Sequence, residues 1–252
     1  MSYLPGKFIW FEHISNDVPT ARKFYGELFG WSSDPLPMGA EAYHMIQNKG
    51  QGIGGFRTAM PGMPTHWMSY LSVPDVDASV RAALAAGAKV LMPPTDFAPI
   101  GRGATIADPT GAVFSVWKSV EGDPPDVERV PPGGWYWNEC CTCDTGAALA
   151  FYEKVFGYTH EAMTLDPQNP YYVLKKDGVA RAGLMRVPDP AAPAAWMPYV
   201  AVTDCDATAE RAKALGAQIC VAPRDIPDVG RFTVLMDPTG AVIAAIRGML
   251  TA

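Results

Sequence analysis

The sequence predicts an α+β protein built from four copies of one βαβββ module. Three observations support this prediction. The 252-residue chain is a duplication, each copy is itself doubled more weakly, and each module pairs one helical stretch with several short strand-like stretches. Helices then cover one face of each sheet, and the opposite face is free to curl around something.

The duplication is visible in three aligned segments. "ARKFYGELFGW" matches "ALAFYEKVFGY" at an offset of 127 residues, and "SVPDVDASVRAALAAGAKV" matches "AVTDCDATAERAKALGAQI" at an offset of 129. "GRGATIADPTGAV" matches "GRFTVLMDPTGAV" at that same offset. The stretch "VEGDPPDVERVPPGG" between the copies is rich in Pro, Gly and acidic residues, as linkers are. We therefore predict one domain at 1–119, a linker at 120–131 and a second domain at 132–250.

The elements of the first domain follow from capping and turn signals. The first helix is predicted to begin after Asn16 or Asp17, with Pro19 just inside it, and to end at Gly30. The second helix is predicted to end at Gly87. Strand candidates follow the helices, and "DPTG" between the last two predicts a type I turn with Pro at its second position. The strand candidates are "EAYHMIQ", "GIGGFRT", "AKVLMPP", "GRGATIA" and "AVFSVWK".

Composition excludes several classes of partner. The net charge is −6 and no Lys/Arg cluster stands out, so we expect neither nucleic acid nor membrane as a partner. No apolar run approaches the length of a membrane span, and "MSYLPGKFIW" lacks the pattern of a secretion signal, so we expect a cytoplasmic protein.

The five cysteines all lie in the second half. Their odd number predicts reduced thiols, and "ECCTC" lacks the second pair that a zinc site requires.

The first strand of each copy places a tryptophan two residues before a glutamate. Trp10 precedes Glu12 and Trp137 precedes Glu139. Side chains two residues apart on a strand share a face, so each pair should point the same way. His13 and His160 have no predicted role. The opposite face is predicted to supply core residues beneath the helices, namely Ile9, Phe11, Trp67, Tyr136 and Trp196.

Three segments in order carry a family resemblance. They are "ISNDVPTARKFYGELFGW", "VPDVDASVRAALAAGAKV" and "DPTGAVFSVW", and all recur in the second copy. The chain therefore resembles a two-domain member of the vicinal oxygen chelate superfamily, which holds glyoxalases, bleomycin-resistance proteins and extradiol dioxygenases. The pattern "W-x-E…D…FY…LFGW" further resembles duplicated glyoxalase-like or hydroxylase-like actinobacterial proteins. The resemblance implies two tandem domains, each with a curved mixed sheet around a cavity and helices outside.

The resemblance also implies where metal ligands would lie. Metal-dependent members carry His, Gln or Glu on the first, fifth and last strands of a domain. None of the residues at those positions here is a usual ligand of a divalent metal, so we predict no metal and no other cofactor. The positions fall on Trp10, Met68 and Ser115 in the first copy and on Trp137, Met197 and Ala244 in the second.

Trp10 at a ligand position is implied to point into the cavity, and strand alternation then selects the other lining residues. Glu12, Glu139 and His66 are the candidate catalytic groups. Arg102 and Arg231, at matched "GR" positions, are candidate ligand-binding residues and candidate partners of the glutamates; the structural alternative is that each glutamate is simply tied to a backbone amide or an arginine. The remaining predicted ligand-binding residues are Trp10, Met68, Tyr70, Ser115, Trp117, Trp137, Met197 and Tyr199.

Three functions are compatible with these residues. The favoured one is metal-free binding of a small, flat or apolar molecule in aromatic-lined cavities, by a monomer or homodimer. The first alternative is a glyoxalase- or isomerase-type lyase, or a dioxygenase-like enzyme, that uses Glu12 or Glu139 as general base with or without a metal. The second is a protein-interaction module that uses the Met- and Pro-rich stretches "TAMPGMPTHWM" and "VPDPAAPAAWM".

Overall fold

The predicted βαβββ order is present four times. We describe the protein from a computed structural model, which covers residues 2–38, 41–163, 170–187, 189 and 191–252. The first copy consists of β1 (Phe8–Ser15), α1 (Val18–Phe29), β2 (Ser32–Met38), β3 (Glu41–Asn48), β4 (Gln51–Thr58), β5 (His66–Ser72), α2 (Val76–Ala85), β6 (Lys89–Phe97), β7 (Gly101–Ala107) and β8 (Val113–Ser119).

The second copy repeats this order with strands of similar length. Its elements are β9 (Trp135–Thr142), α3 (Thr145–Phe156), β10 (Thr159–Met163), β11 (Tyr171–Lys176), β12 (Val179–Arg186), β13 (Ala195–Ala201), α4 (Cys205–Ala214), β14 (Gln218–Ile226), β15 (Gly230–Met236) and β16 (Val242–Gly248).

The ends of α1 are set by the residues that the sequence indicated. Asp17, rather than Asn16, is the N-cap, and its Oδ1 accepts a hydrogen bond from the amide of Thr20 at 3.1 Å. Gly30 ends the helix with a φ of 74°, in the left-handed region that glycine tolerates best. The second copy uses Asp144 for the same cap at the start of α3.

The strands form two mixed sheets of eight. Their orders are β2-β3-β4-β1-β5-β8-β7-β6 and β10-β11-β12-β9-β13-β16-β15-β14. Within each module the first strand pairs in parallel with the last, whereas the remaining pairs are antiparallel. The helices lie outside the sheets, so the predicted α+β class with four modules is confirmed. In the described part of the chain, no helix is long and apolar enough to cross a membrane.

The chain divides into two compact units, and each unit draws on both sequence copies. The first unit contains residues 1–9, 69–126 and 137–196, so it combines the second module of the first copy with the first module of the second copy. The second unit contains 10–68, 127–136 and 197–252 and combines the outer two modules. The predicted boundaries of the sequence repeat stay a prediction, because these units describe packing rather than repetition.

Each unit has a buried aspartate from a "DPTG" turn near its core. Asp108 and Asp237 are both 3% exposed, and each accepts hydrogen bonds from the threonine two residues later and from the amide four residues later. In the first unit Tyr152 donates to Asp108 Oδ2 at 2.8 Å. In the second unit Tyr25 donates to Asp237 Oδ2 at 2.7 Å, and His13 Nε2 lies 2.8 Å from the same oxygen.

His13 therefore has a structural role that the sequence did not indicate. Its side chain is fully buried, and its ring lies edge-on to those of Tyr25 and Trp67, at centroid distances of 5.4 and 5.0 Å. The expectation that His13 has no role is wrong, because a residue so enclosed is part of the core. Of the predicted core residues, Phe11, Trp67 and Trp196 are buried, whereas Ile9 and Tyr136 are half-buried.

Candidate functional site

A tyrosine on β3 lies on the same face of the sheet as Trp10 and Glu12. The strand register places Glu12 opposite Gly55 of β4. Tyr43 lies over Gly55, so that a Cβ at this glycine would collide with the tyrosine hydroxyl. The indole Nε1 of Trp10 donates a hydrogen bond to that hydroxyl at 2.9 Å. We call Trp10, Glu12 and Tyr43 the first aromatic site.

The second copy repeats the same arrangement. Glu139 lies opposite Gly183 in the register, and a Cβ at Gly183 would collide with the hydroxyl of Tyr171. Trp137 Nε1 donates to this hydroxyl at 2.7 Å. Burial raises the pKa of Tyr171 well above its usual range, and the negative charge of Glu139 and a hydrogen bond between the two side chains add to this shift. We call Trp137, Glu139 and Tyr171 the second aromatic site.

Sequence reasoning missed both tyrosines, although the glycines opposite the glutamates signalled them. Glycine within a strand usually indicates that two strands approach closely or that the strand bulges. That interpretation holds for Gly54, where a Cβ would collide with the backbone oxygen of Phe11. At Gly55 and Gly183 the space is instead occupied by a tyrosine, which no strand pattern alone reveals.

Arg57 lies beside the first aromatic site, and His66, the other candidate group of this copy, bonds to the backbone of its own segment. Arg57 Nε lies 3.5 Å from Glu12 Oε2, and the arginine side chain is half exposed. His66 Nδ1 lies 2.8 Å from the carbonyl oxygen of Pro64. Because a carbonyl only accepts, Nδ1 carries the hydrogen. Burial lowers the pKa of His66, and the nearby charge of Arg57 contributes to the same direction. The ring is therefore neutral at pH 7, with Nε2 as an acceptor.

The second aromatic site has different neighbours at the aligned positions. Met185 stands where the register places Arg57 in the first copy, and Ala195 stands in place of His66. Cys141 Sγ donates to Glu139 Oε1 at 3.6 Å. Burial and the charge of Glu139 raise the pKa of this thiol, so the sulfur stays protonated at neutral pH.

The two arginines expected beside the glutamates make ion pairs with aspartates. Arg102 Nε lies 2.8 Å from Asp77 Oδ2, and its Nη1 lies 2.8 Å from Asp96 Oδ1. Arg231 makes the equivalent pairs with Asp206 and Asp225, at 2.7 and 3.2 Å. Arg57, which the sequence did not single out, is the arginine that the structure places beside Glu12. A role of Arg102 and Arg231 in ligand binding stays a prediction.

The other predicted lining residues are buried or half-buried. Met68 is 5% exposed and Ser115 is 1% exposed, with its hydroxyl 2.9 Å from that of Thr105. The rings of Tyr70 and Trp117 meet edge-on at 6.0 Å. In the second copy Tyr199 is buried and Met197 is half-buried. Trp10, Glu12, His66 and Met68 lie in the second compact unit, and Tyr70, Ser115 and Trp117 lie in the first.

The residues at the implied ligand positions do not fit a divalent metal ion. Trp10 donates its only polar hydrogen to Tyr43, Met68 offers a thioether, and Ser115 is bonded to Thr105. Divalent metals in proteins take carboxylate, imidazole or thiolate ligands, usually three or four together. Among the residues that the structure describes, no group of three or more His, Cys, Asp or Glu side chains is placed to hold a metal.

Two cavities lie elsewhere in the first compact unit. One of about 310 Å³ is bordered by the start of α2 and the end of α3, and one of about 500 Å³ is bordered by Tyr3, Arg102 and neighbouring residues. Arg102 is the one predicted site residue that lines either of them. Of the two stretches predicted as interaction surfaces, the second contains residues 188 and 190, which lie outside the described residues.

Comparison with known sequences settles the family. A sequence profile described as "Glyoxalase-like domain" matches residues 10–117 and 140–246, once in each copy. The chain belongs to the glyoxalase-like family. Among its relatives, "Putative glyoxylase CFP32" of Mycobacterium tuberculosis is 39% identical over 251 residues, covering 97% of this chain and 96% of that protein. "Anthracycline biosynthesis protein DnrV" of Streptomyces peucetius is 33% identical over 262 residues, covering 97% and 94%.

Solved structures of the superfamily share the fold of this glyoxalase-like protein. The Mn(II)-bound glyoxalase from Novosphingobium aromaticivorans superimposes with a TM-score of 0.67 and 19% identity, over 98% of this chain and 83% of that one. The 2,3-dioxygenase LapB from Pseudomonas sp. KL28 gives a TM-score of 0.63 and 10% identity, over 98% and 93%. Together with the family match, this shared fold confirms the predicted membership of the vicinal oxygen chelate superfamily; at this identity, the likeness to the solved structures concerns the fold alone.

Proposed function

We propose that this glyoxalase-like protein binds a small, flat and largely apolar molecule at its two aromatic sites without a metal ion. One observation carries the proposal. The same three residue types, in the same register and joined by the same hydrogen bond, occur in both copies: the indole donates to the tyrosine at 2.9 Å in the first site and at 2.7 Å in the second. The two copies differ at most other positions of these strands.

The geometry of each site suits a flat ring. Trp10 and Trp137 are half-buried, so part of each indole is accessible. Aromatic faces bind flat rings by stacking and by removing apolar surface from water. The hydrogen bond to the tyrosine holds each indole in one orientation, which reduces the entropy that ligand binding would cost. Glu12 and Glu139 then supply a polar group beside an apolar surface, as small-molecule sites commonly do.

Two further points favour a flat, metal-free ligand site. The positions at which the superfamily holds its metal carry indole, thioether and hydroxyl groups, which are poor ligands for hard or borderline ions. One relative is named as an anthracycline biosynthesis protein, and anthracyclines contain a flat fused-ring system. A ligand of this shape matches the exposed indole surface better than a small aliphatic one.

The proposal is tested by titrating the protein with 2-methoxynaphthalene and measuring the heat of binding by isothermal titration calorimetry. We expect binding to wild type and a loss of at least about tenfold in affinity in Trp10→Ala/Trp137→Ala, because each stacked aromatic pair contributes about 1 kcal/mol beyond its buried area. Tyr3→Ala, which removes an exposed ring elsewhere, is the matched control. Equal affinity in wild type and the double variant would contradict the proposal.

The metal-free part has its own test. Protein purified without added metal is expected to contain well below one equivalent of Mn, Fe, Ni or Zn by elemental analysis. One bound equivalent that disappears in Glu12→Gln would overturn this part.

A second candidate function is glyoxalase- or isomerase-type catalysis. It is favoured by the glutamate that both copies place beside a tyrosine, and by the relative named as a putative glyoxylase. The glutamate would take a proton from the carbon next to a carbonyl, and the electron pair would move onto the carbonyl oxygen. Once the glutamate is protonated it no longer needs the tyrosine's hydrogen, and the hydroxyl would then donate to that oxygen before the proton returns to the neighbouring carbon.

This candidate is tested with an α-oxoaldehyde and a thiol as substrates. Turnover by wild type that is abolished in Glu12→Gln/Glu139→Gln, with an unchanged circular dichroism spectrum, would support it. Turnover that survives both substitutions would remove the glutamates from the mechanism.

A further inference from the structure

We propose that the cleft between α2 and α3 of the first compact unit binds a short aliphatic carboxylate, with the ammonium group of Lys176 as its polar anchor. The cleft is the cavity of about 310 Å³ that borders both helices. No residue of either aromatic site lines it, so this inference goes beyond the proposed function.

The walls of the cleft are mainly aliphatic. They include Val73, Pro74, Ala78, Ala82 and Val155, with one aromatic ring, that of Phe156. Ligand pockets in proteins begin at about 300 Å³, so the cleft has room for a small molecule. A short hydrocarbon chain bound there would remove apolar surface of these walls from water.

The polar atoms at the base of the cleft already have partners within the protein. The amide of Gly6 donates to the carbonyl oxygen of Ser72 at 2.9 Å, and the hydroxyl of Ser72 donates to Asp123 Oδ2 at 2.5 Å. The amide of Val73 donates to the carbonyl oxygen of Trp117 at 3.0 Å. An apolar ligand body therefore leaves none of these groups unsatisfied.

Lys176 is the cationic group that lines the cleft, and the protein holds its side chain in place. A Cβ added at Gly6 would lie 3.0 Å from Lys176 Cγ, so the stem of the lysine packs against this glycine. Its Nζ donates to the carbonyl oxygen of Gly157 at 3.2 Å, and among the described residues this is its one polar contact. An ammonium group has three hydrogens, so two of them are available to a ligand.

Asp75, the other charged residue that lines the cleft, has its charge offset by α2. It is the N-cap of that helix, and its Oδ1 accepts from the amide of Ala78 at 2.8 Å. The N-terminal end of a helix carries a partial positive charge that stabilises such a carboxylate. In the part of the chain that the structure describes, Lys176 has no carboxylate partner, which leaves its ammonium as the anchor for an anion.

The second unit has an arginine at the aligned place. Arg211 of α4 aligns with Ala82 of α2. Its Nε lies 3.4 Å from the carbonyl oxygen of Glu27 and its Nη2 lies 3.8 Å from Glu27 Oε2, so the side chain extends from α4 to the end of α1. The small Ala82 leaves the corresponding space of the first unit open to a ligand.

The charges around this space are also reversed between the copies. Glu27 aligns with Lys154, which is exposed in the last turn of α3, and Asn48 aligns with Lys176, since these residues end β3 and β11. The second unit thus places a cation of its own beside an acidic side chain. The first unit has an open cleft beside basic side chains, which complements a negatively charged ligand.

The test compares 5,5,5-trifluoropentanoate with 5,5,5-trifluoropentanamide, which has the same shape without the charge. Binding is followed at pH 7 by fluorine NMR of the probe. We expect the acid to bind at least about tenfold tighter, since a hydrogen bond between charged groups contributes about this factor. In protein with labelled methyl groups, the signals of Val73 and Val155 should shift on addition of the acid, because both residues line the cleft.

The charge variant is Lys176→Met, which keeps most of the stem and removes the ammonium. It should weaken binding of the acid about tenfold and leave binding of the amide unchanged. Lys175→Met is the matched control, because Lys175 is paired with Glu161 and does not line the cleft. It removes the same charge and should leave both affinities as in wild type.

The volume variant is Ala82→Met, which places a neutral side chain in the cleft and should abolish binding of both probes. Ala150→Met, at an exposed position of α3 outside the cleft, is its control and should bind as wild type does. Trp10→Ala/Trp137→Ala should also bind the acid as wild type does, which separates this site from the aromatic sites. Midpoints of thermal unfolding verify that each variant is folded.

Four outcomes would overturn the inference. Equal binding of acid and amide to wild type would show that the cleft does not select an anion. Affinity for the acid that survives Lys176→Met, or binding that survives Ala82→Met, would place the probe elsewhere. Absence of binding to wild type would reject the site. The proposed function of the aromatic sites stands under each of these results, because its own test uses a different probe and different variants.

Discussion

The two buried turn aspartates have the same local bonds but different partners across the core. Asp237 of the second unit accepts from Tyr25 and faces His13 Nε2 at 2.8 Å. Asp108 of the first unit accepts from Tyr152, and the thiol of Cys140 is within range of its charge. His13 and Cys140 occupy aligned positions of β1 and β9. Duplication has therefore kept the acceptor and changed the group that faces it.

The difference shows that one turn motif can support two kinds of core. Burial alone would raise the pKa of Asp237, but hydrogen bonds from His13 and Tyr25 outweigh it and the pKa is lowered. Burial raises the pKa of Cys140 and Tyr152 well above their usual ranges, so both remain protonated. The second unit thus depends on a carboxylate–imidazole pair, whereas the first depends on uncharged donors.

The largest effect should come from replacing the two aspartates with asparagine. This change keeps the oxygen that bonds the turn amides and removes the charge that faces the core. We expect Asp237→Asn to lower the free energy of unfolding by about 3 kcal/mol, because it breaks a buried pair. Asp108→Asn should lower it by about 1 kcal/mol, the value of an ordinary hydrogen bond. Urea denaturation at pH 7 measures both, with the exposed Asp34→Asn as control.

Equal losses in the two variants would show that the imidazole adds nothing to the pair. A larger loss in Asp108→Asn would reverse the comparison.

The second effect concerns the coupling between His13 and Asp237. Replacing His13 with cysteine, the residue of the second copy, should destabilise the protein by about 2–3 kcal/mol through a lost bond and a smaller side chain. In the double variant His13→Cys/Asp237→Asn, the loss should be at least about 1 kcal/mol smaller than the sum of the single losses. Strict additivity would indicate that the two side chains do not interact.

The third effect should be the same in both units. Tyr25 and Tyr152 each donate to the buried aspartate and each accept from a tryptophan Nε1 at 3.0 Å. Replacement of either tyrosine with phenylalanine removes one donor and leaves one indole N–H without its partner. We expect a cost of about 1–2 kcal/mol in each case. The midpoints of thermal unfolding measure both losses. Clearly different midpoints in the two variants would show that the shared part of the motif has also diverged.

The smallest effect should be a change, at acid pH, in the difference in stability between wild type and Asp237→Asn. The pKa of Asp237 is lower in the folded protein than in the unfolded chain, so its stabilisation is complete above the ordinary aspartate pKa of about 3.9. As the pH falls further, the unfolded chain takes up the proton first and the stabilisation is lost. The stability advantage of wild type over Asp237→Asn, measured by urea midpoints, should therefore shrink as the pH falls below about 4. A constant advantage over this range would argue against the carboxylate–imidazole pair.

The elements of the fold were predictable because their signals are local. Asp17 and Gly30 bound α1 by capping geometry, and period-two alternation on β1 correctly separated Phe11 from Trp10 and Glu12. The repeat then extended each assignment to the second copy. These inferences depend on neighbours within a few residues, which sequence patterns describe well.

The polar contacts of the site were not predictable because they depend on register. Tyr43 reaches Trp10 across the paired strands β3, β4 and β1, whose register no propensity dictates. Arg57 meets Glu12 through the parallel pairing of β1 with β4. The contact of His13 with Asp237 joins residues 224 positions apart. Each of these contacts follows from the packing of distant segments.

The interleaved units bear on how such a protein could arise and be divided. Severing the backbone within 120–131 would yield two fragments, each holding half of either unit, so neither fragment could complete its own interior. We expect the fragments to be unfolded or self-associated when separate and to recover the native assembly when mixed. By the same reasoning, an ancestral polypeptide with a single repeat would have needed to form a homodimer to complete either unit. Gene duplication and fusion then placed both halves in one chain.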